Sequence, residues 1–110
     1  MTINSPAGVW SNTGNGVVSY GGSLTNNNTY TSGTAQQNFT GTGSWGGTLA
    51  FGGAVAISGS GVITNNATAT VATTLTVTAG SLTNTSSLTV TGDVTVTGTL
   101  RSDSGTLTMN

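Results

Sequence analysis

Leu82, Leu88, Val94 and Leu100 recur every six residues. Around them the chain reads as near-hexads. Ser81-Leu82-Thr83-Asn84-Thr85-Ser86 is followed by Ser87-Leu88-Thr89-Val90-Thr91-Gly92, then by Asp93-Val94-Thr95-Val96-Thr97-Gly98 and Thr99-Leu100. After a seven-residue step comes Thr106-Leu107-Thr108-Met109. Within each hexad the alternation has period two, so Leu88/Val90 and Val94/Val96 face one side and the threonines the other. Short straight strands with a Gly or Ser corner are the units of a parallel β-helix or β-prism. The spacing leaves open whether the hexads coil within one chain or interleave between chains.

Composition narrows the chemistry. Thr, Ser, Gly and Asn fill 67 of the 110 positions, and the only charged residues are Asp93, Arg101 and Asp103. With no His and no Cys, the chain lacks the usual metal ligands, any Cys or His nucleophile system and any disulfide framework. One Arg and no Lys give no electrostatic footprint for nucleic acid or anionic lipid. The residues therefore predict no enzyme activity, no cofactor and no metal. Leu, Ile, Val and Phe make up 20% of the chain, at the border of disorder, but the net charge of −1 favours collapse over expansion. A thin core in a small domain is commonly supplemented by oligomerisation. An almost uncharged surface suits a subunit held in an assembly.

No apolar 3.6-residue pattern runs for two turns, so the expected class is all-β. The sequence divides near residue 66. Residues 1–66 hold all six aromatic residues, Trp10, Tyr20, Tyr30, Phe39, Trp45 and Phe51, and much Gly-Gly and Asn-Gly punctuation. Strands are expected near 16–20, 36–41, 47–51, 54–58 and 61–64, with Asn15-Gly16 as a hairpin turn and Asn26-Asn27-Asn28 as a loop. This part is expected to form a compact, sandwich-like β domain. Residues 67–110 are expected to form the hexad-repeat solenoid or prism, the two parts making one structural unit intertwined in a homotrimer. Met1-Thr2-Ile3-Asn4-Ser5-Pro6 has neither a basic nor an apolar region, so no export signal is expected there. No stretch approaches the ~18 apolar residues of a membrane span.

Each candidate chemistry meets a simpler alternative. Asp93 and Asp103 could act as an acid–base pair or bind calcium, but lone turn carboxylates are the more economical reading, with Arg101 as an ion-pair partner. Four Asn-x-Ser/Thr sequons match what chance gives at this Ser/Thr content. The Gly-rich run 41–46 precedes neither a helix nor a Lys, so it is not read as a phosphate loop. The aromatic residues could stack on sugars, yet they are the largest groups available to build a core. Thr-x-Thr pairs at 76/78, 83/85, 89/91, 95/97 and 106/108 resemble the faces of β-helical ice-binding proteins. Six-residue spacing, however, puts consecutive pairs on consecutive faces, and the Cys staples of the most similar families are missing.

The run Ser87-Leu-Thr-Val-Thr-Gly-Asp-Val-Thr-Val-Thr-Gly-Thr-Leu100 resembles segments of bacteriophage virion proteins, both tail-fibre shafts and head decoration or cement proteins. Similar strings occur in bacterial surface adhesins with β-helical stems. The resemblance implies an intertwined homotrimer, made in the host cytoplasm, with a purely structural role in the virion. The leading expectation is a capsid decoration protein whose partners are its own copies and the major capsid protein or other virion subunits. Trp10, Leu82, Leu88, Val90, Val94, Val96 and Leu100 are the candidate assembly residues. The alternatives are an extracellular filament subunit growing by strand addition and a Thr-faced ice-binding or carbohydrate-binding module.

Overall fold

A computed structural model describes residues 1–4 and 8–110. Among the described residues there is no helix, and sixteen short strands follow one another round a coil. The first coil holds β1 (Thr2–Ile3), β2 (Val9–Ser11) and β3 (Val18–Tyr20); the second holds β4 (Leu24–Asn26), β5 (Thr29–Thr31) and β6 (Gln37–Phe39). In the third, β7 (Gly43–Phe51) supplies two faces and β8 (Val55–Ile57) the last. The fourth has β9 (Val62–Asn65), β10 (Thr68–Val71) and β11 (Leu75–Val77); the fifth has β12 (Ser81–Asn84), β13 (Ser87–Val90) and β14 (Val94–Val96). The sixth is β15 (Thr99–Ser102) and β16 (Thr106–Met109).

The ladders are parallel and join each strand to its counterpart one coil on, which makes the chain a three-faced β-solenoid. The hexads are the three faces of one coil. Leu82 pairs with Leu100 on the first face, Leu88 with Leu107 on the second, and Leu75 with Val94 on the third. The repeat therefore coils within a single chain.

Inward positions carry the apolar residues. Leu82, Leu88 and Val90 are fully buried, as are Leu75, Val77 and Ile63. Each such side chain contributes roughly 1.5–3 kcal/mol through removal from water. In the early coils the aromatic residues fill the same interior. Tyr20 stacks on Phe39 at 4.8 Å between ring centroids, and Trp45 lies 5.0 Å from Phe39 and 5.2 Å from Phe51.

The amino-terminal part differs from the expected sandwich. Its pairs β1–β4, β2–β5 and β3–β6 are all parallel, so these residues belong to the same solenoid. Asn15 does have positive φ (55°), but it turns a corner between two faces and makes no hairpin. Its Oδ1 accepts from the Thr34 N–H of the next coil at 2.8 Å. Tight turns with positive φ serve a solenoid corner as well as a hairpin, so composition alone did not separate the two. Gly47 shows the same point. With φ of +73° it lets β7 bend from the first face to the second, and a Cβ there would sit 1.8 Å from the Asn26 carbonyl oxygen.

Candidate functional site

The second face carries the most regular outward surface. The ladder β7–β10–β13–β16 aligns Thr48, Thr68, Ser87 and Thr106 in one rank and Ala50, Thr70, Thr89 and Thr108 in a second. Leu49, Ala69 and Leu88 alternate with them and point inward, all buried. Parallel strands lie about 4.8 Å apart and alternate residues of one strand about 6.6 Å apart, so the eight positions form a near-rectangular grid. β5 packs beside β7 and adds exposed Thr29 and Thr31 at one edge of this surface. The spacing that generates the grid is one coil, 19 or 20 residues, and not the hexad.

No charged residue lies in the grid. Arg101 is on the first face, opposite Thr83, and is ion-paired with Asp103. The first face is also interrupted by Gly46 and by Val62, which is 43% exposed.

Threonine hydroxyls fall into two groups. At the corners they bond back to the main chain of the preceding coil: Thr78 Oγ1 donates to the Ile57 carbonyl at 3.2 Å, Thr85 to that of Asn65 at 2.8 Å, and Thr97 to that of Thr78 at 2.9 Å. The grid hydroxyls make no such bonds among the described residues, which leaves them to solvent. Their β-branched side chains are stiff at χ1, so the methyls and hydroxyls are held in a repeated orientation.

A second feature supports the grid from within. Asn26, Asn65 and Asn84 end their first-face strands with buried side chains at the corner leading to the second face. Asn65 Nδ2 donates to Asn84 Oδ1 at 2.8 Å and to the Ser87 carbonyl at 3.1 Å. Asn84 Nδ2 donates to the Thr106 carbonyl at 3.1 Å, and Asn26 Nδ2 to that of Thr48 at 2.7 Å.

The assembly residues read from sequence lie elsewhere. Leu82, Leu88 and Val90 are interior, while Val94 and Leu100 are half-buried and Val96 is 40% exposed, on strands each laddered on one side. Trp10 lies in the first coil, half-buried and stacked on Tyr30 at 5.2 Å. Tyr20, Phe39, Trp45 and Phe51 are buried and form core, while Tyr30 is half-buried against it. Asp93 and Asp103 lie on different faces, in the turns before β14 and after β15. Of the Thr-x-Thr pairs read from sequence, only 106/108 lies whole in the grid, while Thr68/Thr70 and Thr29/Thr31 are missed because the hexad does not reach them. On the second face the ladder brings 68/70 and 106/108 into line through Ser87/Thr89, and 29/31 lies beside them on β5; on the third face Thr76 pairs with Thr95.

Comparison with protein-family models, with curated proteins and with solved structures finds no match for the chain.

Proposed function

We propose that this chain is a non-enzymatic binding module whose second face adsorbs to ice. The observation that carries this reading is the register of Thr48, Thr68, Ser87 and Thr106 beside Ala50, Thr70, Thr89 and Thr108 on one uncharged face. A grid of about 4.8 by 6.6 Å is near the oxygen repeats on the faces of hexagonal ice. At six of the eight positions threonine offers a hydroxyl that bonds water and a methyl that sheds it, the other two being Ser87 and Ala50. Because the side chains are held by a rigid sheet, little conformational entropy is lost on adsorption. The six-residue objection to this function does not apply to pairs one coil apart.

The test is ice growth in a dilute solution of the protein. Thermal hysteresis with faceted crystals is expected for the native chain, and its loss on Thr70→Arg. Round crystals and no hysteresis for the native chain would overturn the reading.

A second reading keeps the chain as a structural virion protein, a trimeric capsid decoration subunit bound to the major capsid protein. What favours it is the apolar edge of the later coils, where Val96 and Met109 are 40% and 59% exposed. A neighbouring chain covering that edge would bury these side chains and pair the open ladders. An extracellular filament growing by strand addition would use the same edge. Native mass by light scattering separates them: a concentration-independent trimer supports the virion subunit, open growth the filament, and a stable monomer neither.

A further inference from the structure

We infer that the buried corner asparagines Asn26, Asn65 and Asn84 are positioning residues for the first rank of the threonine grid. The inference rests on the ice-binding reading of that face. Each of the three sits one residue pattern earlier in its coil, at the end of the first-face strand, and each donates across to the next coil. The acceptors are the main-chain carbonyls of Thr48, Ser87 and Thr106, which are first-rank grid residues. A ladder fixes only the strands that it joins. These bonds tie the second face to the corner of the coil below, and so set where the first rank begins.

The geometry is specific to this corner. Asn65 Oδ1 accepts from the Ala67 N–H at 3.0 Å, and Asn26 Oδ1 from the Asn28 N–H at 3.1 Å, which holds the carboxamide pointing at the next coil. Asn84 accepts from Asn65 and donates to Ser86 and Thr106, so two successive grid steps are coupled through one pair of side chains. In the third coil the register sets Gly47 opposite Asn26 and Trp45 opposite Asn65. Neither gives Thr68 a side-chain donor, the buried Trp45 indole N–H having no partner among the described residues. Thr68 is accordingly the first-rank residue whose carbonyl is held by the ladder alone. A binding surface works only if its groups keep their spacing when the ligand arrives, and a locked supporting layer supplies that.

The experiment compares Asn65→Ala and Asn84→Ala with Val77→Ala, a core truncation under the third face. All are assayed for hysteresis at equal concentrations of folded protein, well below each melting temperature. In parallel, side-chain couplings of Thr106 and Thr108 are read by NMR. The asparagine variants are expected to lose most of the hysteresis and the single χ1 rotamer of Thr106, while Val77→Ala keeps both. Full hysteresis per folded molecule in the asparagine variants, with Thr106 still in one rotamer, would overturn the inference. If the native chain lacks hysteresis but Asn84→Ala still frees the Thr106 rotamer, positioning stands and the ice reading falls.

Discussion

Asn65 and Asn84, one coil apart and both fully buried, are joined by a 2.8 Å hydrogen bond from the carboxamide of the first to that of the second. Every donor and acceptor of the pair is used: Asn65 Oδ1 takes the Ala67 N–H, and Asn84 Nδ2 reaches the carbonyls of Ser86 and Thr106. A buried polar network is stabilising only when complete, and truncating one member leaves its partners unpaired. Asn84→Ala is therefore expected to cost about 1–3 kcal/mol in urea unfolding, as a lost buried hydrogen-bond partner does. A loss near zero would mean that the network adds nothing.

The grid itself can be altered without touching the core. Thr70 is exposed in the second rank, between Ala50 and Thr89. Thr70→Arg should shift stability by no more than about 1 kcal/mol, the span of β-propensity effects, while abolishing ice activity. Thr76→Arg, on the third face, should leave that activity in place. Equal loss from both would show that the face is not the site.

Ala50 is the one grid position without a hydroxyl, and it is exposed. Ala50→Thr completes the second rank in an open position and should raise hysteresis at a given concentration. A decrease would mean that the grid does not act through a continuous rank of hydroxyls and methyls.

Gly47 turns the corner at positive φ, where an L side chain costs roughly 1–2 kcal/mol before any clash is counted. Its missing Cβ leaves room for the Asn26 carbonyl. Gly47→Ala should lower the melting temperature and disturb the neighbouring Asn26–Thr48 bond. An unchanged melting temperature would contradict this account of the corner.

Alkali should destabilise the early coils. Burial pushes the Tyr20 phenol above its ordinary range, partly offset by its hydrogen bond to Tyr30, and burial with that same bond pushes Tyr30 up further. Both groups stay neutral in the fold at pH values where they would ionise in the unfolded chain. The stability they contribute is thus whole below the ordinary tyrosine pKa of about 10 and falls as pH rises beyond it. The melting temperature measured from pH 8 to 11 should show this fall, and Tyr30→Phe should make it shallower. An identical pH profile in the variant would exclude Tyr30 as its source.

Much of the fold was legible because its signals are local. The period-two alternation of Leu88/Val90 and Val94/Val96 gave the inward side of each strand, and the hexad gave the coil faces, since Leu82 does stack on Leu100. The strands expected near 36–41, 47–51, 54–58 and 61–64 overlap β6 to β9. Two features were hidden. Asn15-Gly16 marks a tight corner whatever follows it, so it suggests a hairpin where a parallel crossover occurs. Asn26 falls in the expected Asn26-Asn27-Asn28 loop, and Asn65 and Asn84 carry no sequence signal of a role, because a polar residue at an inward position breaks the apolar alternation. Only the fold shows that Asn26, Asn65 and Asn84 close a network inside the corner. The grid needs a period of 19 to 20 residues, and corners of unequal length blur it in sequence.

The most direct measurement is the partition of the native protein between ice and liquid while a single ice crystal grows slowly in dilute solution. The ice is expected to be enriched in the native chain relative to Thr70→Arg, with both proteins folded. Exclusion of the native chain from the ice to the same extent as Thr70→Arg would contradict it.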